Sequence, residues 1–271
     1  MRTAHKSAIW FWALAIAIFA WLFWDARTAW RSLDRPEIIP GYALAGLMVI
    51  LAFFNARKRL SMVPLGRGAF WTIGHGIGGV LAVALFFLHT GSLWPTGSYE
   101  QVLAGSFYLV SISGVLGYWM QRVVPRRLTE NGQEVIWERI PEEIAEIREM
   151  AEKQALECVD ETSSDTLVRH YTETLAWFFR RPRFLFNHFL GMQRGRAWLE
   201  RELTMIERYL GDDEKAYLDE IRALAEIKIR LDFAYAVNGI TKLWLLFHVP
   251  MAAAVVVTMI WHIILVHVYY L

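Results

Sequence analysis

Five stretches of the sequence are apolar enough, over a sufficient length, to cross a membrane as helices. A helix needs about 20 mostly apolar residues to span the hydrocarbon core of a bilayer. The chain is 55% hydrophobic, and its apolar residues concentrate in residues 8–24, 38–55, 69–90, 102–121 and 243–267. We therefore predict an all-α integral membrane protein with five transmembrane helices.

Residues 128–241 separate the fourth predicted span from the fifth and have a different character. They hold 23 Asp and Glu against 15 Lys and Arg, a net charge of −8, whereas the remainder of the chain carries a net charge of +9. Apolar residues recur in this segment at helical spacing. We predict an acidic helical insert (128–241) between transmembrane helices 1–4 (1–127) and a fifth transmembrane helix (242–271).

Basic residues indicate the orientation, because cytoplasmic loops are enriched in Lys and Arg. With the N-terminus in the cytoplasm, ten basic residues lie inside and three outside. We thus predict a protein of the bacterial inner membrane with a cytoplasmic N-terminus and insert and a periplasmic C-terminus. The inside residues are Arg2, Lys6, Arg57, Lys58, Arg59, Arg67, Arg122, Arg126, Arg127 and Lys242, and the outside residues are Arg27, Arg31 and Arg35.

Two predicted spans carry histidines at the same interval. His75 and His89 lie 14 residues apart in the third span, and His248 and His262 lie 14 apart in the fifth. Fourteen residues make almost four helical turns, so both side chains of a span project from nearly the same face, about 21 Å apart along the axis. Both spans run from inside to outside, so each histidine has a partner at its own depth.

Four uses of paired membrane histidines can be compared. Hydrogen bonds between helices would suit single histidines, and a proton relay would favour accompanying Asp or Glu, which the span interiors lack. A zinc site needs ligands that converge on one point, which the separation within each span forbids. Facing imidazoles at two depths are suited to haem iron instead. Cys158 is the only cysteine, so a c-type haem attachment or a cysteine-ligated iron–sulfur cluster cannot be built.

This pattern, with two histidines 14 apart on each of two parallel helices that have one helix between them, resembles the di-haem core of the cytochrome b family of quinol:cytochrome c oxidoreductases. The resemblance implies that spans two to five form a four-helix haem bundle and that the first span is an addition. It also implies two b-type haems, the cytoplasmic-side one held by His75 and His248 and the other by His89 and His262. A quinone is a further candidate cofactor.

The chain differs from that family in its long insert, in lacking a Pro-Glu-Trp-Tyr motif, and in lacking paired glycines 14 apart on the spans without histidine. Its glycines instead surround His75, where they suit either close approach of a porphyrin or close packing of helices. Arg67 and Lys242 lie at cytoplasmic span ends, where they suit haem propionates or simply follow the positive-inside bias. The glycines are Gly74, Gly76, Gly78 and Gly79, of which Gly76 and Gly79 are the candidate cofactor contacts.

Residues 177–196 hold five arginines and no acid, interleaved with five Phe and a Trp. One interpretation is a patch that rests on anionic membrane lipid or on a negatively charged partner. The other is that the aromatic residues fill the core of the insert while the arginines pair with its carboxylates.

These features favour an electron-transfer subunit over a stand-alone enzyme. The chain has no nucleotide-binding fingerprint and no feature that suggests nucleic acid as a partner. We expect a di-haem b-type cytochrome subunit that carries electrons across the membrane within a larger respiratory or photosynthetic complex. Its partners would be other subunits, a periplasmic c-type cytochrome and a cytoplasmic redox or regulatory protein. The alternatives are a quinone-reactive oxidoreductase with its own substrate site and a haem-free membrane scaffold.

Overall fold

A computed structural model describes residues 2–54, 68–130, 136–189 and 192–269, and every element in these ranges is helical, as predicted. A 3₁₀ turn, Trp137–Arg139, precedes α5, and a π-helical turn, Tyr171–Leu175, joins α6 to α7. The helices are α1 (Arg2–Arg31), α2 (Ile38–Ala52), α3 (Gly68–Thr90), α4 (Ser98–Glu130), α5 (Ile140–Thr162), α6 (Thr166–His170), α7 (Ala176–Phe179), α8 (Leu185–Phe189), α9 (Arg194–Glu207) and α10 (Asp212–Tyr269).

The chain divides into two compact units. The first contains residues 1–120 and 244–271, and the second contains residues 121–243. The predicted acidic insert, 128–241, lies within the second unit.

In the described ranges, four helices are long and apolar enough to cross a membrane: α1, α3, α4 and α10. Large apolar side chains on them are widely exposed, which suits contact with lipid tails rather than water. Helix α10 has 58 residues and is about 87 Å long, so only a part of it, the apolar segment 243–267, can lie in the hydrocarbon core. Helix α2 has 15 residues, about 22 Å, which is shorter than the span predicted over 38–55.

The first unit is built from two antiparallel helix pairs. Helix α2 packs along α3, with Gly41 against the ring of His89 at one end and Leu51 against Gly78 towards the other. Helix α4 runs along the end of α10, where the Tyr99 hydroxyl donates to the Thr258 carbonyl. Helix α1 packs on α3 and α2, and the core is formed by Ala15, Leu22, Leu44, Ile77, Leu81, Ala82, Leu85, Phe86, Ala104 and Phe107.

The second unit has a hydrophobic core of its own, to which α5, α6, α7, α9 and the first part of α10 contribute. The core face of α5 reads Ile140, Ile144, Ile147, Ala151 and Ala155, the helical spacing expected of a helix with one buried face. Phe178 and Phe179 are fully buried. Lys228 and Asp232, one turn apart on α10, form a fully buried ion pair of 2.6 Å.

Candidate functional site

The first unit brings the four predicted histidines together in two pairs. The ring centroids of His75 on α3 and His248 on α10 are 6.5 Å apart, with the ring planes at 76°. The ring centroids of His89 and His262, on the same two helices, are 6.3 Å apart, with the planes at 81°. All four side chains are half-buried. The equal intervals on the two helices thus place two imidazole pairs at two depths.

Both separations suit a metal ion shared between the two rings of a pair. An imidazole nitrogen binds a transition metal at about 2.0 Å and lies about 1.1 Å from the centre of its own ring, so rings on opposite sides of one ion have centroids about 6.3 Å apart. A direct hydrogen bond between two imidazoles would bring the rings closer. The ring separation of each pair therefore leaves room for one metal ion between its two rings.

The tautomer of His89 is set by the backbone of α2. Its Nδ1 donates to the Glu37 carbonyl at 2.8 Å. Because a carbonyl oxygen can only accept, Nδ1 carries the proton and Nε2 is left unprotonated, as a metal ligand must be. Gly41 makes this geometry possible, because a Cβ atom there would lie 2.7 Å from His89 Cε1 and 2.8 Å from Nδ1.

His248 is oriented by a hydroxyl on α4. The Ser113 hydroxyl donates to the Val110 carbonyl at 3.1 Å, and its Oγ lies 2.5 Å from His248 Nδ1. When the hydroxyl donates to the Val110 carbonyl, its oxygen accepts the Nδ1 proton of His248, and in that tautomer Nε2 of His248 carries no proton and can bind a metal. The Trp244 ring stacks on His248, packs directly over Gly117 and donates to the Ser113 carbonyl.

The other two histidines make different contacts. The ring of His75 lies against Phe54, with centroids 4.7 Å apart, and its Nδ1 is buried without a hydrogen-bond partner among the described residues. The ring of His262 stacks on Tyr99 at 6.3 Å. Each histidine of α3 is thus contacted from the α2 side, and each histidine of α10 from α4.

A cavity of about 450 Å³ surrounds the pair formed by His89 and His262. This volume lies within the range of about 300–1,000 Å³ that cofactor sites occupy. Most of the lining is apolar, and its polar groups include Glu37, Glu100 and Tyr42. Such a lining suits a large apolar ligand with a few polar substituents.

Between the two imidazole pairs the helices are closely packed. Ala82 lies midway between His75 and His89, and Val255 lies midway between His248 and His262; both are almost fully buried. One helical turn further on, Phe86 stacks on Phe107 at 4.7 Å. The two pairs therefore mark two separate sites rather than one continuous channel.

Among the residues that the structure describes, no three His, Cys, Asp or Glu side chains converge on one point. Each imidazole pair consequently offers two protein ligands, and the remaining positions of a six-coordinate iron would come from the ligand itself. A porphyrin supplies four nitrogens, so the donor set fits a haem and does not fit a bare zinc ion.

The glycines around His75 divide between the two predicted uses. A Cβ at Gly74, Gly76 or Gly78 would meet Phe11, Tyr118 or Leu51 respectively, which is the close packing of helices. Of these four glycines, only Gly79 has no atom within 4 Å of the position of a Cβ. It therefore leaves open space in which a ligand can approach the backbone of α3.

The two predicted propionate partners are placed differently. Arg67 lies outside the described residues. Lys242 belongs to the second unit, where it pairs with Glu138 at 2.9 Å and lies over the Trp137 ring. Its side chain is therefore already engaged.

His267 does not join the histidine pairs. Its Nδ1 donates a hydrogen bond to the Ile263 carbonyl at 2.8 Å. Its Nε2 therefore carries no proton and accepts a hydrogen bond from the Tyr42 hydroxyl, whose oxygen is 2.9 Å away. With both ring nitrogens engaged, His267 does not take the place of His262.

Sequence reasoning did not identify Glu37, Gly41 and Ser113 as part of the site. For α4 a signal was present, because Tyr99 and Ser113 are separated by the same 14 residues as the histidines that they contact. For α2 the partner of His89 is a backbone carbonyl, which any residue supplies.

No family model, no curated protein and no solved structure matches this chain.

Proposed function

We propose that this protein is a di-haem b-type cytochrome that carries electrons across a bacterial inner membrane as a subunit of a larger redox complex. His75 and His248 would hold one haem, and His89 and His262 the other. One observation carries the proposal: two imidazole pairs on the same two membrane-length helices have the separation that a shared metal ion requires.

When bound, each haem would supply reversible one-electron transfer, and the two imidazoles of a pair would hold it. The chain's own residues tune that chemistry. The Glu37 carbonyl and the Ser113 hydroxyl each accept the Nδ1 proton of one ring, which would leave Nε2 of that ring available to bind the metal.

The predicted five-span topology gains support from α2. The segment that contains α2 accompanies α3 from the depth of His89, whose hydrogen bond is accepted by Glu37 just before α2, to the depth of His75, whose ring contacts Phe54 just after α2. A helix that follows α3 between both histidine depths would cross the membrane with it. The resulting topology has a cytoplasmic N-terminus and insert and a periplasmic C-terminus, and it would place His89 and His262 near a periplasmic electron partner such as a c-type cytochrome.

A quinone-reactive oxidoreductase is a second candidate function. The cavity beside His89 and His262 is also lined by Glu37, Glu100 and the hydrogen-bonded pair Tyr42 and His267. Carboxylates and a hydroxyl next to an electron carrier are groups that can accept the protons released when a quinol is oxidised.

Optical spectra of the purified chain, combined with histidine variants, test the proposal. We expect b-type α-bands after dithionite reduction and two haems per chain by pyridine haemochrome. His89→Ala and His262→Ala should each lose the same haem, and their double variant should lose no more than either alone. His75→Ala and His248→Ala should behave likewise for the other haem.

The matched control is His267→Ala, which should keep both haems. A colourless wild-type protein, or four variants that all keep two haems, would contradict the proposal and leave the scaffold alternative. Reduction of the haems by a quinol analogue in the isolated chain would favour the quinone-reactive candidate.

A further inference from the structure

Two turns of the second unit lie side by side through aromatic contacts. The ring of Phe184 packs against Gly195, where a Cβ would lie 3.0 Å from Phe184 Cδ2. Phe184 also contacts Trp177 and Trp198, with ring centroids 6.0 and 6.1 Å away. These contacts join the segment between α7 and α8 to the N-terminal end of α9. We name the surface that they form the basic aromatic face: Trp177, Arg180, Arg181, Leu185, Phe186, Met192 and Arg194.

Apolar side chains are exposed on this face although the unit has a core to hold them. Phe186 is 71% exposed, Trp177 46% and Met192 45%. Their neighbours in sequence, Phe178 and Phe179, are fully buried in that core. The aromatic residues of 177–189 are therefore divided between the interior and an exposed patch, and exposed apolar patches commonly mark interaction sites.

The arginines of the segment are divided in the same way. Arg196 pairs with Glu226, and Arg183 stacks on Trp177, with Cζ 4.0 Å from the ring centroid. Arg180, Arg181 and Arg194 are exposed and make no ion pair among the described residues. The segment 128–241 has an excess of eight acids, so partners for these three arginines are not scarce.

We propose that the basic aromatic face docks on anionic phospholipid headgroups, with Phe186, Trp177 and Met192 entering the interface between headgroups and acyl chains. A membrane surface fits both properties of the face, because it offers negative charge beside an apolar layer. The rest of the insert is acidic and would be repelled by such a surface, so this acid-free segment is the part suited to contact it.

Chain connectivity favours lipid over a separate protein partner. The second unit is joined at both ends to helices of membrane-spanning length, α4 and α10. A lipid surface is then available to the face within the same assembly, at high effective concentration. This inference rests on the membrane insertion in the proposed function but not on haem binding.

Spin-label accessibility in the full chain tests the proposal. The chain has one cysteine, Cys158, which is fully buried, so a Cys158→Ala background carries one label on Phe186→Cys. The label is compared in nanodiscs of phosphatidylcholine alone and in nanodiscs that contain phosphatidylglycerol. We expect the anionic discs to raise oxygen accessibility and lower nickel-chelate accessibility at position 186. A label on Tyr209→Cys, which is 77% exposed and lies outside the face, should show no change.

Charge reversal separates this face from general electrostatics. Arg180→Glu/Arg181→Glu should shift the label at position 186 back to water, because each arginine near an anionic surface favours the bound state by about fivefold. Arg169→Glu/Arg208→Glu, which reverses two exposed arginines elsewhere, should not.

Equal accessibility at position 186 in the two kinds of disc would overturn the proposal. So would burial of this label only when another subunit is added, since the face would then bind protein. Haem content is read from the same samples, so loss of haem binding with lipid docking intact contradicts the proposed function alone. Failure to enter nanodiscs would contradict both.

Discussion

At the scale of single residues, two glycines of α2 differ in what surrounds them. Gly41 lies so close to the ring of His89 that a Cβ atom at position 41 would overlap the ring. At Gly46, by contrast, no atom lies within 4 Å of the position of a Cβ. Helix α2 therefore needs glycine at one of these positions for the sake of a neighbouring histidine. At the other position alanine would be accepted.

Gly41→Ala should displace His89 and cost the chain one haem. The added methyl group overlaps the imidazole, which cannot retreat without breaking its hydrogen bond to Glu37. We expect about one haem per chain by pyridine haemochrome, with the haem held by His75 and His248 retained. Gly46→Ala, the control on the same helix, should keep two haems and gain up to about 1 kcal/mol of helix stability. Two haems in Gly41→Ala would show that the ring has another position from which to bind iron.

Ser113 gives a second prediction at this scale. Ser113→Ala removes the acceptor for Nδ1 of His248 and leaves the ring free to rotate and to change tautomer. Loss of such a partner commonly weakens metal binding by about 10–100-fold. We expect the haem held by His75 and His248 to be lost selectively to an apo-myoglobin acceptor. The reduction potential of this haem should also rise, because His248 without its hydrogen-bond acceptor is a less basic ligand and stabilises ferric iron less.

Two other serine variants test this interpretation. Ser113→Thr keeps the hydroxyl and should restore haem retention. Ser111→Ala removes a hydroxyl that bonds only within α4, to the Phe107 carbonyl, and should have no effect. If Ser113→Ala retained both haems with an unchanged potential, His248 would not be oriented through this hydroxyl.

At the scale of elements, α10 carries the buried pair Lys228 and Asp232 ahead of its apolar segment. Lys228 Nζ also donates to the Arg181 carbonyl and lies 4.0 Å from the centre of the Phe178 ring, and Asp232 accepts from the Arg183 amide. The pair thus attaches α10 to the turn that precedes α8. The Oδ1 atom of Asp232 lacks a hydrogen-bond partner among the described residues, so the cost of burying this carboxylate is only partly offset.

Removing one member of this pair should cost more than removing both. Lys228→Met or Asp232→Leu alone leaves an isolated buried charge and should destabilise the second unit by about 3–5 kcal/mol, whereas the double variant should lie near the wild type. Hydrogen exchange of core amides in α5 and α9, measured in the full chain, reports these changes by segment. If the loss of stability in the double variant equalled the sum of the losses in the two single variants, the two charges would not be coupled.

The pH dependence provides an independent reading of the same pair. Burial raises the pKa of Asp232 from 3.8 to about 6 and lowers the pKa of Lys228 from 10.5 to about 8, against the attraction between the two. The folded state therefore holds the Asp232 proton more tightly and the Lys228 proton less tightly than the unfolded chain. We therefore expect the protection of core amides in α5 and α9 against hydrogen exchange, in the wild type relative to the double variant, to be lowest between about pH 6 and 8. It should rise below pH 6 and above pH 8.

Much of the helical organisation could be predicted from the sequence, because hydrophobic blocks and helical periodicity are local properties. The facing of His75 with His248, and of His89 with His262, also followed from equal intervals on two helices. The contributions of α2 and α4 could not be derived this way. They depend on how antiparallel neighbours align, and one of them is a backbone carbonyl that no side chain reveals. The second helix is shorter than the stretch predicted over 38–55, because the apolar residues continue through Phe53 and Phe54 whereas α2 ends at Ala52.

At the scale of the whole molecule, the two imidazole pairs lie about 21 Å apart along α3. With a haem at each pair, as proposed, they would form a path for electrons across the membrane. The chain in proteoliposomes should therefore pass electrons from an impermeant external reductant to an acceptor trapped inside. His89→Ala should abolish this transfer while His267→Ala supports it. Transfer at the wild-type rate in His89→Ala would mean that the haem held by His89 is not part of the path.

The two proposed haem sites differ in whether a substitution can remove the hydrogen-bond acceptor of the histidine. The acceptor for His89 is a main-chain oxygen of α2, and no substitution at position 37 deletes a main-chain oxygen. The acceptor for His248 is the Ser113 side chain, which a single codon change can alter. During evolution, the hydrogen bond that orients His248 could be lost by one substitution, whereas the main-chain acceptor of His89 would persist whatever residue stands at position 37.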